Sequence, residues 1–187
     1  MSYSLLRMLF FILSRDLTNF ILLSILRQEV IILEVKSYKK VKSNIYEIEL
    51  NNFDKYKIYD DIILKYELLI DKRIDKNKLE KILKENGLLE SYFKALRYIN
   101  TKMRTQLEIK KYLEKYNFDK DQIDYAIDRL KKEGYLDENA YIKAFINDSI
   151  LLTLNGPKKI VDSLKKLGLN SEKIKDEIYK VERKEWL

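Results

Sequence analysis

Two hydrophobic rhythms divide the chain. From Val30 onward Ile31, Leu33 and Val35 alternate with Ile32, Glu34 and Lys36, and Tyr46, Ile48 and Leu50 alternate with Glu47 and Glu49. A third run, Phe53 to Tyr59, puts Tyr56 and Ile58 on one face. Successive side chains of a strand point to opposite faces, so this alternation predicts strands with one buried face. Asn51–Asn52 lies between the last two runs and suits a tight turn, because asparagine tolerates positive φ. The expected element is a small antiparallel meander over residues 31–59.

After Asp60 the spacing turns helical and stays so. Asp75 can cap a helix carrying Leu79, Ile82 and Leu83, and another runs through Tyr92, Leu96 and Ile99. Thr105 with Glu108 makes a capping box, in which hydroxyl and carboxylate satisfy two backbone N–H groups reciprocally; Asp119 with Gln122 repeats the device. These boxes open helices with the stripes Ile109, Tyr112, Leu113, Tyr116 and Ile123, Ile127, Leu130. Gly134 stops the second, and Asp137 starts a helix with Tyr141, Ala144 and Phe145. Asn155–Gly156 forms a loop with Pro157 at the first helical position; Ile160 and Leu164 follow, then Gly168, then Ile174 and Ile178.

The helical part repeats itself. Tyr92-Phe93-Lys94-Ala95-Leu96 matches Tyr141-Ile142-Lys143-Ala144-Phe145 at an offset of 49. Ile109, Leu113, Phe118, Ile123 and Ile127 then fall on Ile160, Leu164, Leu169, Ile174 and Ile178 at an offset of 51. Turn positions agree as well: Asn117 with Gly168, and Asp119 with Asn170. Each unit is three helices. Stacked helical units share a continuous core and offer an extended surface, suited to lying along a large partner. The fold class is therefore mainly α, α+β overall: tandem three-helix repeats preceded by a small antiparallel β meander. The expected organisation is residues 1–29 as an apolar extension, 30–75 as a small β-rich domain, 76–136 as a helical linker with the first repeat, and 137–187 as the second repeat.

Met1–Arg27 carries apolar runs at Met8–Leu13 and Phe20–Leu26, broken by Arg15 and Asp16. Neither run reaches the roughly 18 uncharged residues of a spanning helix, and burying the charged pair in a bilayer is costly. No small-residue cleavage site follows the apolar stretch, which argues against a signal peptide. The segment reads as an extension outside the functional domain; an amphipathic helix docked on a partner or on the body is the alternative.

Composition narrows the chemistry. Four glycines and one proline argue against a many-stranded sandwich or barrel. The chain has no histidine and no cysteine. That removes disulfides, cysteine zinc sites, thiol nucleophiles and imidazole bases, so catalysis is disfavoured and no cofactor is expected. Asp119, Asp121, Asp124 and Asp128 lack the glycine and terminal glutamate of a calcium loop and read as acids complementing a helix start. With 37 basic against 30 acidic side chains the net charge is +7, which favours a polyanionic partner such as nucleic acid or an acidic protein face. The competing explanation is an A/T-rich coding sequence, which enriches Lys, Ile, Asn and Tyr whatever the function.

The ordered motifs resemble those of the RecX regulatory proteins. Gly134-Tyr135-Leu136-Asp137 matches the family's segment between its first two repeats, Gly156–Ile160 its turn into the next helix, and Leu164–Leu169 its Leu-x-x-x-Gly ending. The family's Arg-x-Arg-Ser stands here as Lys102-Met103-Arg104-Thr105. The strands are similar to the β-rich N-terminal extension of RecX proteins from low-GC Gram-positive bacteria. Such proteins usually carry three helical repeats; two are legible here, which reads as a short form.

The resemblance implies a cytoplasmic negative regulator of RecA in recombination and DNA repair. Such a protein binds the RecA–single-stranded DNA filament, lies in its groove and inhibits ATP hydrolysis and strand exchange. It implies a monomer that reaches nucleic acid through the filament, with no small-molecule substrate, no membrane attachment and no catalysis of its own. A helix-turn-helix-like DNA-binding module is the alternative.

Candidate contact residues are the cations lying beside or between stripe positions, hence outward: Lys110, Lys111, Lys131, Lys132, Lys158, Lys159, Lys165 and Lys166, with Arg104. Arg104, Lys158 and Lys159 sit at helix starts, where a positive charge opposes the dipole and hints at phosphate contact. Thr105, Glu108, Gly134, Tyr135, Leu136, Asp137, Gly156, Pro157 and Gly168 carry the motif, with adequate structural reasons in caps and turns. Tyr92, Tyr112, Tyr141 and Phe145 sit at core spacing, which favours burial over base stacking.

Overall fold

The computed structural model describes residues 32–153 and 155–185. The expectations for residues 1–29 lie outside the described residues. The chain opens with β1 (Ile32–Lys42), β2 (Ile45–Leu50) and β3 (Lys55–Tyr59), then α1 (Asp60–Lys65) and β4 (Arg73–Asp75). Six helices follow: α2 (Lys76–Ile99), α3 (Gln106–Lys115), α4 (Lys120–Lys132), α5 (Glu138–Thr153), α6 (Pro157–Lys166) and α7 (Ser171–Glu185). This is the α+β arrangement the periodicity predicts.

The antiparallel sheet has the order β3-β2-β1-β4. Tyr38, Ile48 and Tyr56 align across its three long strands, and Val35, Ile48, Leu50 and Ile58 are buried with Ile62, Ile63, Leu68 and Ile82. The opposite face is a row of alternating charge, Lys39–Glu47–Lys57, with Lys55 in an ion pair to Glu49 at 3.5 Å. Register shifts at Val35/Ser37 and Lys40/Lys42 mark bulges in β1.

Two expectations fail here. The β2–β3 turn places its positive φ at Phe53 (69°), not at Asn51 or Asn52. The Asn52 carboxamide oxygen accepts the Asp54 N–H at 3.2 Å, an Asx-type turn that passes the left-handed conformation to the next residue. The spacing beyond Asp60 is also not helical throughout. The three residues of β4 pair with β1 through Ile32↔Asp75, Leu33↔Ile74 and Glu34↔Arg73, a run too short to show alternation.

A further correction concerns α2. The stripes at Leu79–Leu83 and Tyr92–Ile99 belong to one helix of 24 residues, about 36 Å long. Asp75 caps it, accepting the Lys78 N–H at 2.7 Å. Mid-helix Gly87 faces the Gln122 side chain of α4, and a Cβ there would stand 2.5 Å from its Nε2, so that flexible side chain would have to shift. Asn86 ties the helix to the sheet, accepting the Tyr59 N–H at 2.9 Å and donating to the Lys57 carbonyl at 3.0 Å. Leu79, Ile82 and Leu89 of α2 enter the sheet core, while Tyr92 and Ala95 enter the next.

That second core joins α2, α3 and α4 through Ile109, Leu113, Ile123, Ala126, Ile127 and Leu130. A third joins α5, α6 and α7 through Ile142, Ile146, Ile160, Leu164, Leu169, Ile174 and Ile178. The repeat is therefore structural. Asn117 (φ 61°) and Gly168 (φ 80°) take the same left-handed turn, and Asp119 and Asn170 cap the third helix of each unit. The α5 seam differs from expectation: Ile142 and Ile146 are buried, whereas Tyr141, Ala144 and Phe145 are half-buried. Burial pushes the Tyr141 phenol up, with the charge of Glu108 adding to the shift and that of Arg104 opposing it.

Candidate functional site

The first helix turn of each unit's middle helix is where the two units part. In α3, Thr105 Oγ1 accepts the Glu108 N–H at 3.2 Å and Glu108 Oε2 accepts the Thr105 N–H at 2.8 Å, completing the capping box. Fifty-one residues on, Gly156 stands for Thr105 and Lys159 for Glu108. The N-cap of α6 therefore has no side-chain hydrogen bond, its first turn has no acid, and Lys158 and Lys159 project there exposed. Both cations face an uncompensated positive helix end.

Lys158 also borders an open groove of about 660 Å³ between α6 and α7, whose walls include Val161, Lys175, Tyr179 and Lys180. Lys180 is paired with Glu177 at 2.7 Å. Lys131 and Lys132 close α4, and Lys165 and Lys166 close α6; at C-terminal turns a positive charge complements the dipole, so each has a structural reason. Lys110 pairs loosely with Glu114 at 3.9 Å, and Lys111 is exposed. The Lys110–Lys111 and Lys158–Lys159 pairs do not occupy equivalent places in the two units: one lies mid-helix, the other at a helix start.

Arg104 differs from the lysines. Its side chain is only 15% exposed, donates to Glu108 at 3.3 Å and stacks 4.0 Å from the Tyr98 ring centre; its Nε is buried with no partner. Arg104 thus braces the capping box rather than projecting into solvent.

The Gly134–Asp137 segment is held from both sides. Gly134 (φ 77°) ends α4, Leu136 is buried, and Asp137 Oδ1 accepts the N–H groups of Asn139 and Ala140 at 2.8 and 3.0 Å. Tyr135 is exposed. Just before it, Glu133 accepts the Tyr92 hydroxyl and the Arg129 Nε–H, the latter at 2.8 Å, while the Arg129 guanidinium lies 4.0 Å above the Tyr92 ring. Burial, then the hydrogen bond to Glu133, pushes the Tyr92 phenol up to about 12. The Tyr92 hydroxyl, then Arg129, holds the Glu133 carboxyl below its ordinary value.

A feature that the linear pattern does not show lies on the α2–α3 face. Tyr98 and Tyr112 stack at 3.9 Å with rings 3° apart, and Tyr112 meets Tyr116 edge-on at 5.0 Å. Lys94 Nζ sits 3.3 Å over the Tyr116 ring, and Arg104 caps the Tyr98 end. Tyr116, expected in a buried stripe, is 46% exposed, and Tyr112 is half-buried. The spacing of Lys94 to Tyr98 and of Tyr112 to Tyr116, four residues each, was the only linear signal.

Residues 92–130, spanning this unit, match the family model described as RecX, first three-helix domain. Regulatory protein RecX of Lactococcus lactis subsp. cremoris (strain MG1363) is 31% identical over 156 residues, covering 80% of this chain and 58% of that protein. This chain belongs to the RecX family. Regulatory protein RecX of Streptococcus pneumoniae (strain ATCC 700669 / Spain 23F-1) is 32% identical over 139 residues, covering 73% of this chain and 53% of that protein. The crystal structure of a regulatory protein RecX shares the fold, with a TM-score of 0.70 at 19% identity over 80% of this chain and 74% of that one. The chain spans little more than half the length of the curated RecX relatives it matches. Among the described residues no helix is long and apolar enough to cross a membrane.

Proposed function

We propose that this protein is a negative regulator of RecA. It binds the RecA–single-stranded DNA filament, lies along its groove through the tandem helical units, and slows ATP hydrolysis and strand exchange by occupancy, without catalysis of its own. It acts as a monomer in the cytoplasm and meets nucleic acid within the filament. The observation that carries this reading is the altered start of α6. A repeated fold that closes one helix with a capping box leaves the equivalent helix without a side-chain cap or a first-turn acid, with Lys158 and Lys159 exposed at its positive end. Such an end receives a phosphate or carboxylate on an extended polyanionic partner. Membership of the RecX family supports the choice of partner.

The test is to add the purified chain to cognate RecA on single-stranded DNA and follow ATP hydrolysis. A dose-dependent fall is expected; an unchanged rate at large molar excess rejects the reading. Tight, salt-sensitive binding to naked duplex DNA with no effect on RecA would mark a DNA-binding module instead.

A further inference from the structure

We infer that the tyrosine–cation ladder of the first unit is a seat for the phosphodiester backbone of a single nucleic-acid strand, Lys94 and Arg97 taking the phosphates. This deepens the filament reading and, as a step in the regulation of RecA, rests on it.

The ladder runs Lys94–Tyr116–Tyr112–Tyr98–Arg104 across α2 and α3. Three points argue that it is more than packing. First, the second unit folds without it. Ile160 and Leu164 repeat the buried Ile109 and Leu113, yet the positions 51 residues beyond Tyr112 and Tyr116 hold Ser163 and Leu167. Packing the middle helix of such a unit does not need the rings.

Second, the cations around the ladder make no close ion pairs. Lys94, Arg97, Lys111 and Lys115 make no ion pair with a carboxylate among the described residues. Arg97 is exposed at the junction of the sheet and the first unit, where its charge acts on both Tyr59 and Tyr112. At 100° per residue, Lys111 and Lys115 fall on the solvent flank of α3 beside Tyr112 and Tyr116. An unpaired ammonium held over a ring face keeps its position while the N–H groups not directed at the ring stay open, which lowers the ordering cost of a phosphate contact. Third, Tyr116 is 46% exposed beside these charges, and exposed aromatic area favours contact with unpaired bases over paired ones. Charge complementarity with adjacent aromatic area favours a single strand over an acidic polypeptide.

The experiment titrates fluorescein-labelled oligothymidylate with the full chain at several salt concentrations, following anisotropy. The double variant Lys94→Gln/Arg97→Gln is expected to bind about tenfold more weakly at low salt and to lower the log–log salt slope by about 1.4, or 0.7 per phosphate contact. Lys81→Gln, an exposed control on α2, is expected to match the wild type. Both altered side chains of the double variant lie outside the buried stripe; an unchanged circular dichroism melt checks folding, and Tyr116→Leu, also weakened in binding, tests the ring separately. Wild-type chain that does not bind oligothymidylate at low salt, a double variant with unchanged affinity and slope, or equal competition by polyglutamate of matched length would each overturn the seat. If the double variant still slows RecA and still binds oligothymidylate as the wild type does, the seat fails and the filament reading stands. If the wild type leaves RecA untouched while the double variant loses oligothymidylate binding, the filament reading fails and the seat stands.

Discussion

At Glu133 two donors converge, the Tyr92 hydroxyl and the Arg129 guanidinium, and they hold its carboxyl below the ordinary 4.5. The folded state then binds fewer protons at this residue than the unfolded chain near that pH. Its stabilisation is present above about pH 4.5 and lost as pH falls through the lower folded value. Urea titrations from pH 3 to pH 7 are expected to show the stability gap between wild type and Glu133→Gln widest near neutrality and shrinking toward pH 3. Tyr92 has the opposite sign: its raised value stabilises the fold below pH 10 and is lost as pH rises toward about 12. Gly168 is a second residue-scale test. It sits at φ 80°, and a Cβ there would stand 3.0 Å from Leu107, so Gly168→Ala is expected to cost about 2 kcal/mol from left-handed strain and crowding. Gly156 has ordinary φ and open surroundings, so Gly156→Ala is expected to cost far less in the same urea melt. The turn glycines were legible from their place after a helical stripe. The Glu133 clamp was not, because Tyr92 lies 41 residues away and only the tertiary fold brings the two together.

Capping is the element-scale device that the linear pattern shows most clearly, because its partners lie three residues apart. Thr105→Ala removes the hydroxyl that accepts the Glu108 N–H and is expected to cost about 1 kcal/mol in urea unfolding, as is Asp119→Ala at the next helix. Restoring a box to α6 by Gly156→Thr with Lys159→Glu is expected to stabilise the chain while weakening its effect on RecA ATP hydrolysis. A stabilised variant with undiminished effect would remove Lys159 from the contact. Elements whose signal is tertiary were not legible. β4 has three residues and exists because β1 offers it an edge. The α2–α3 ladder depends on Tyr98 meeting Tyr112 across two helices, and neither stripe alone distinguishes a ring in the core from a ring stacked at its rim.

Across the whole molecule, three apolar clusters follow one another along the chain, and the two helical ones repeat in their second and third helices, Ile109, Leu113, Ile123 and Ile127 returning as Ile160, Leu164, Ile174 and Ile178. Ile160→Ala is expected to cost about 2–5 kcal/mol where it acts and to raise amide exchange across residues 138–180, while residues 45–99 keep their protection. Exchange rising equally throughout would mean that the clusters unfold as one. The repeat was readable because buried positions recur at a fixed interval. The joining of sheet and first unit was not, since two apolar stripes on one helix look the same as two helices. Yet that joining decides how force travels. With Leu79 and Ile82 sunk in one cluster and Tyr92 and Ala95 in the next, α2 is an axle common to both. Whatever seizes the sheet must turn the first trihelical unit with it, and a partner gripping either end feels the leverage of the other.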